Sequence, residues 1–117
     1  MRILVCGGRK YDNYQRLAEV LGSWKPTHII CGGAPGADYM ASNYAVGCKI
    51  PQSVFYADWD EHGNKAGPIR NQKMLDEGRP DMVIAFPGGR GTADMVRRAR
   101  KAGVNVIEVE DTGPSGT

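Results

Sequence analysis

Three short apolar segments of this chain each run into a glycine pair: Val5-Cys6-Gly7-Gly8-Arg9, Ile30-Cys31-Gly32-Gly33-Ala34 and Phe86-Pro87-Gly88-Gly89-Arg90-Gly91-Thr92. A run that is apolar at successive positions suits a strand covered on both faces, as in a parallel sheet. Parallel strands bring all their C-terminal loops to one edge, and open α/β sheets bind ligands at that edge. Glycine serves such loops because it admits positive φ and lets backbone N–H groups approach an anion closely. The pattern points to a parallel sheet with an anionic, nucleotide-like ligand at its edge.

The segments between these runs have helical spacing. Asp12 and Gln15 resemble a capping box, Tyr14, Leu17, Ala18, Leu21 and Trp24 follow at helical intervals, and Lys25-Pro26 should end that helix. A strand at Thr27 to Cys31 precedes a helix carrying Ala37, Met40, Ala41, Tyr44 and Ala45, with Gly47 as its terminator. Ser53 to Tyr56 reads as a third strand, and the polar stretch from Ala57 to Lys65 as a candidate lid or binding loop. Pro68 suits the first turn of a helix with Ile69, Met74 and Leu75 inward, ended by Gly78 and Pro80. A strand at Met82 to Phe86, a helix from about Thr92 to Ala102 with Met95, Val96 and Ala99 inward, a stop at Gly103 and a strand at Val104 to Val109 complete the pattern. The expected fold is α/β, a Rossmann-like doubly wound parallel sheet of about five strands with helices on both faces.

A length of 117 residues, 41% of them hydrophobic, suits one domain. We expect it to span residues 1–110, with Asp111 to Thr117 as a flexible tail. The formal net charge of +2 implies neither nucleic acid nor a membrane as partner. Met1 to Val5 is too short for a signal peptide, and no apolar run approaches the ~20 residues that span a bilayer, so a soluble cytoplasmic protein is expected. Cys6, Cys31 and Cys48 are odd in number and lack ligand spacing, which reads as free buried thiols, with no metal and no cofactor.

The third loop concentrates the chemistry. Successive amides of Pro87-Gly88-Gly89-Arg90-Gly91-Thr92 and the start of a helix would face one point, with the Thr92 hydroxyl capping the helix or donating to a phosphate. No Gly-Lys-Ser/Thr follows, so this is not a Walker A loop, and its spacing is not that of the dinucleotide fingerprint. No acidic residue ends the second strand, which disfavours hydride transfer. Arg70, near the start of a helix where the dipole favours an acid, is better explained by a phosphate than as a surface charge. Arg9 either clamps a second phosphate or pairs with Asp12, Asp38 either caps a helix or accepts a ribose hydroxyl, and Asn71 is a candidate to read a base or ribose edge. Trp59 and His62 offer a stacking surface and a titratable group. His28 reads as structural, and Arg97, Arg98, Arg100 and Lys101 as a solvated face near a helix C-terminus.

Gly7-Gly8-Arg9, Gly32-Gly33-Ala34-x-Gly36-Ala37-Asp38, Gly67-Pro68-Ile69-Arg70-Asn71 and Pro87-Gly88-Gly89-Arg90-Gly91-Thr92-Ala93-Asp94-Met95 together resemble the YspA-type branch of the SLOG superfamily. That superfamily groups the Smf/DprA DNA-processing proteins with the Lonely Guy phosphoribohydrolases. The resemblance implies a nucleotide-derived ligand at Gly7, Gly8, Arg9, Gly32, Gly33, Asp38, Arg70, Asn71 and Pro87 to Thr92, but no settled activity. Lonely Guy enzymes read Pro-Gly-Gly-x-Gly-Thr-x-x-Glu, and their glutamate and an upstream arginine act on the N-glycosidic bond. By position the arginine is Arg70, whereas Met95 stands where the glutamate would be and transfers no proton. The expectation is therefore a binder of a nucleoside monophosphate or ADP-ribose-type molecule. The alternatives are an N-glycosidase using Arg70 and Asp94, or an acid from the Asp58 to Glu61 loop, and more weakly a nucleic-acid-processing domain. Lonely Guy relatives are dimers, so a homo-oligomer is also expected.

Overall fold

The structure, a computed structural model, describes residues 1–110; the tail expected at 111–117 lies outside the described residues. Its elements are β1 (Arg2–Cys6), α1 (Tyr14–Trp24), β2 (His28–Cys31), α2 (Ala37–Gly47), β3 (Gln52–Val54), α3 (Trp59–His62), a 3-10 turn (Gly63–Lys65), α4 (Ala66–Gly78), β4 (Met82–Ala85), α5 (Arg90–Lys101) and β5 (Asn105–Glu108). The five strands form one parallel sheet in the order β3-β2-β1-β4-β5. The chain builds outward from β1 in one direction and then resumes at β4 on its other side. The reversal falls between β1 and β4, the point at which such sheets open a crevice.

The continuous apolar character of β1 follows from burial on both sides. Ile3 and Val5 join Leu17, Leu21, Ile29, Ala41 and Ile84 in one core beneath α1 and α2. Leu4 and Cys6 point the other way, onto Ile30, Met74, Val83, Met95 and Ala99 beneath α4 and α5. Alternate residues of one strand thus feed two cores, each fully buried aliphatic contributing about 2 kcal/mol.

Several local expectations need correction. The α1 cap is Asn13, whose side chain accepts from the Arg16 amide at 3.1 Å, and not Asp12. Tyr14, Trp24 and Ile69 are at least 40% exposed, so each helix turns a narrower face to the core than its apolar spacing implied. Cys48 is exposed, whereas Cys6 and Cys31 are buried, and all three are free. The third strand ends at Val54, before Tyr56. The polar excursion contains α3, capped by Asp58, and α4 begins at Ala66, which moves Arg70 from the first helical turn to the second. Gly78 does not end α4 by its own flexibility: a Cβ there would lie 3.1 Å from Ile30 Cγ2, and Arg79 takes the left-handed terminating conformation at φ 49°. Arg2 donates to the Gly78 carbonyl from Nε at 3.0 Å and from a terminal nitrogen at 2.7 Å, satisfying that helix end.

Gly36 and Gly103 share a positive φ, 78° and 79°, but a Cβ on Gly36 would strike the Gly8 carbonyl while one on Gly103 would meet nothing within 4 Å. Gly103→Ala should therefore cost about 1 kcal/mol, the left-handed penalty alone, and Gly36→Ala at least about 3 kcal/mol. Urea midpoints of the two variants check this.

Candidate functional site

The edge of the sheet is assembled around the peptide groups of Gly8. Its N–H donates to the Pro87 carbonyl at 2.9 Å, and its carbonyl accepts from the amides of Tyr11 and Ala37, both at 3.2 Å. Ala37 heads α2, so a backbone carbonyl from the first loop stands where a capping side chain would otherwise be. This close approach explains several glycines. A Cβ on Gly7 would lie 2.6 Å from Ala37 Cβ, and one on Gly88 would fall on Thr92 Oγ1 and 2.6 Å from the Gly8 nitrogen. Gly89 and Gly91 differ, because a Cβ on either would meet no atom of another segment within 4 Å.

A cleft of about 620 Å³ opens at this edge. The first and third loops form its walls, and Asp38, Arg70, Asn71 and Met74 are among its lining residues. Among the described residues no side chain caps α5, so the first-turn amides at Arg90, Gly91 and Thr92 carry the positive end of that helix to the cleft. Of the two roles open to Thr92, the helix cap is not formed, and its hydroxyl sits against Gly88. Arg9, Lys10, Arg70 and Arg90 line the cleft against the carboxylates of Asp12 and Asp38. Lys10, Cys6, Asp12 and Met74 are lining residues that the sequence reading missed; Lys10 was detectable, since it follows Arg9 in the same loop after the first glycine pair.

Gly32 and Gly33 lie outside the cleft lining and serve it indirectly. A Cβ on Gly32 would meet Arg70 at 2.5 Å and Asp38 Oδ2 at 2.9 Å, so the bare backbone lets both charged groups settle against it. Gly33 carries the Tyr56 ring, 2.5 Å from where its Cβ would be. Arg70 donates to the Gly32 carbonyl, to the Phe55 carbonyl at 3.4 Å and from Nε to Asn71 Oδ1 at 3.1 Å. It is therefore an anchored, half-buried cation and not a solvated helix-surface residue.

Asp38, 7% exposed, accepts from the Ala34 amide at 3.2 Å. Burial raises its pKa from 3.8 to about 6, against the pull of the Ala34 amide and Arg70. Asp94 shows the opposite behaviour. Burial alone would raise it, but the Asn71 amide at 3.0 Å, Arg98 at 2.8 Å and Arg97 at 2.8 Å hold it below the ordinary carboxylate value. It faces these partners and is not among the residues that line the cleft. Met95 beside it is fully buried.

The remaining candidates separate clearly. Arg9 makes no ion pair with Asp12 among the described residues and instead lies 6.0 Å from the Trp59 ring centroid, placing the excursion at the cleft rim. His62 is outside the cleft lining, near Glu61 at 3.8 Å. His28 Nε2 lies 2.8 Å from Ser53 Oγ, joining β2 to β3. Burial, with Asp38 adding, drives the Cys6 thiol far up, and Cys31 is pushed up to about 11, so neither supplies a thiolate at neutral pH. In the basic run, Arg97 and Arg98 pair with Asp94, and Arg100 with Glu108 at 2.8 Å. Among the described residues no helix is long and apolar enough to cross a membrane.

A parallel α/β sheet with a glycine-walled, cation-lined cleft at its reversal point defines a Rossmann-like domain of the nucleotide-associated kind. Residues 1–62 match the YspA, cpYpsA-related SLOG family, and the chain belongs to that family. It is also 37% identical, over 122 aligned positions, to the Gene 61 protein of Mycobacterium phage D29, covering 94% of this chain and 97% of the relative.

The two aspartates predict opposite pH effects. A carboxyl whose folded pKa is raised binds protons more readily folded than unfolded, so its contribution to stability falls as pH rises from about 4 to about 6. Asp38→Asn should therefore stabilise the fold at neutral pH by on the order of 2 kcal/mol, and the gain should vanish near pH 4. Asp94, with a lowered pKa, contributes stability above its unfolded value that is lost as pH falls through the folded one, so Asp94→Asn should destabilise at neutral pH. Chemical denaturation across this range checks both signs.

Proposed function

We propose that the chain binds a phosphorylated nucleotide-derived ligand, such as a nucleoside monophosphate or an ADP-ribose-type molecule, in the cleft between the first and third loops. The observation that carries this reading is the pair Gly89 and Gly91. Packing against other segments accounts for Gly7, Gly8, Gly36 and Gly88, but no such contact crowds these two, which sit at the uncapped start of a twelve-residue helix. A phosphate there would receive first-turn amides and the helix dipole. One helix end supplies only about half a unit charge, so Arg9, Arg70 and Arg90 are the groups to balance the remainder.

Two features weigh against the other activities considered. Asp94 has both carboxylate oxygens committed to arginines, which weakens the N-glycosidase design that would use it as the acid. The basic run of α5 is largely paired with carboxylates, which weakens it as a nucleic-acid surface.

Incubation with a panel of nucleoside monophosphates, NAD and ADP-ribose, followed by mass spectrometry of bound and free fractions, tests the reading. An intact molecule should be retained, and Gly89→Val should abolish its retention without changing the circular dichroism, because the new side chain enters open cleft. Normal retention by Gly89→Val would reject the cradle; release of free base would reject the binder in favour of a hydrolase.

A further inference from the structure

We propose that Asp38 selects the sugar of the ligand, making this a cleft for ribosyl phosphates with free vicinal hydroxyls rather than for deoxyribosyl phosphates or simple polyanions. The inference rests on the phosphate reading above and deepens it.

The cleft is not uniformly cationic. Its α5 side offers amides and Arg90, whereas Asp38 and Arg70 lie together against Gly32 on the α2 side. A second phosphate placed on Asp38 would face a carboxylate, and an ammonium would face the Arg70 guanidinium. A neutral hydrogen-bond donor meets neither repulsion, and a hydroxyl gains a charge-assisted bond. A carboxylate has about four acceptor positions. The Ala34 amide occupies one at 3.2 Å and the Gly32 amide also supports the group, which leaves acceptor capacity for a pair of hydroxyls.

Asp38 is also held in place. It lies in the first turn of α2, whose leading amide is fixed on the Gly8 carbonyl, and it is 7% exposed yet lines the cleft. A side chain that serves only as a local cap has no requirement to reach the cavity. The same requirement for a free diol separates this cleft from a DNA-binding surface, since deoxyribose lacks the 2′-hydroxyl and internal linkages consume the 3′-oxygen.

Calorimetry with adenosine 5′-monophosphate, its 2′-deoxy and 3′-deoxy forms and inorganic phosphate as competitor tests the proposal on the wild-type chain, independently of any variant. The ribonucleotide should bind at least about tenfold more tightly than either deoxy form. Asp38→Asn, which keeps an acceptor for the Ala34 amide, should shrink that preference to about threefold or less, with phosphate still displacing the nucleotide. Wild-type affinities within about twofold of one another would overturn the role of Asp38 while leaving the phosphate reading intact. If none of the three nucleotides binds, and ribose 5-phosphate also fails, the phosphate reading falls and this inference with it.

Discussion

The contact on which the sheet edge depends is the Gly8 peptide, bonded through its N–H to Pro87 and through its carbonyl to Tyr11 and Ala37. Each such bond contributes only about 1 kcal/mol net, so their importance is positional. They join the loop after β1, the loop after β4 and the start of α2 at one place. Side chains on Gly7, Gly36 or Gly88 would drive these segments apart, and the cleft would lose the alignment of its walls. The same geometry explains why α2 uses a backbone carbonyl at its first amide while α5, one loop away, has its end open to the cavity.

Behind the cleft, Asn71 ties α4 to α5. Its Oδ1 accepts from Arg70 Nε, and its Nδ2 donates to the Gly91 carbonyl at 3.2 Å and to Asp94 at 3.0 Å. These partners fix the amide orientation, since reversal would set an oxygen against a carbonyl and a carboxylate. Arg70, Asn71 and the start of α5 are thereby held in one relative arrangement. Asp94 extends the link to Arg98, which reaches Gln72 at 3.1 Å on α4. An acid one residue from the expected catalytic position thus serves the packing of two helices.

Much of the fold was legible because the signals were local. Apolar runs marked the five strands, and helical spacing marked α1, α2, α4 and α5, with Leu17, Leu21, Met95, Val96 and Ala99 buried as expected. The glycine loops were likewise legible, although their spacing did not distinguish Gly88, crowded by Gly8 and Thr92, from Gly89, which meets nothing. The misreadings were small displacements or questions of partnership. Asn13 and Asp12 have equal claims to a cap until the first helical residue is known, and Ile69 matches the apolar spacing but faces outward because Met74 and Leu75 define the buried face of α4.

By itself the sequence determined the strand and helix alternation, the burial of the central strands β1, β2 and β4 and the glycines that follow them, since periodicity and allowed φ are properties of a few neighbouring residues. Only the tertiary structure decided what the charged residues do. Asp38 and Asp94 each open or follow a helix start by a few positions, yet one meets amides and sits apart from ion-pair contact among the described residues, while the other meets two arginines. The ionisation of a buried carboxyl depends on which elements pack against it, and that is set by residues distant in the chain.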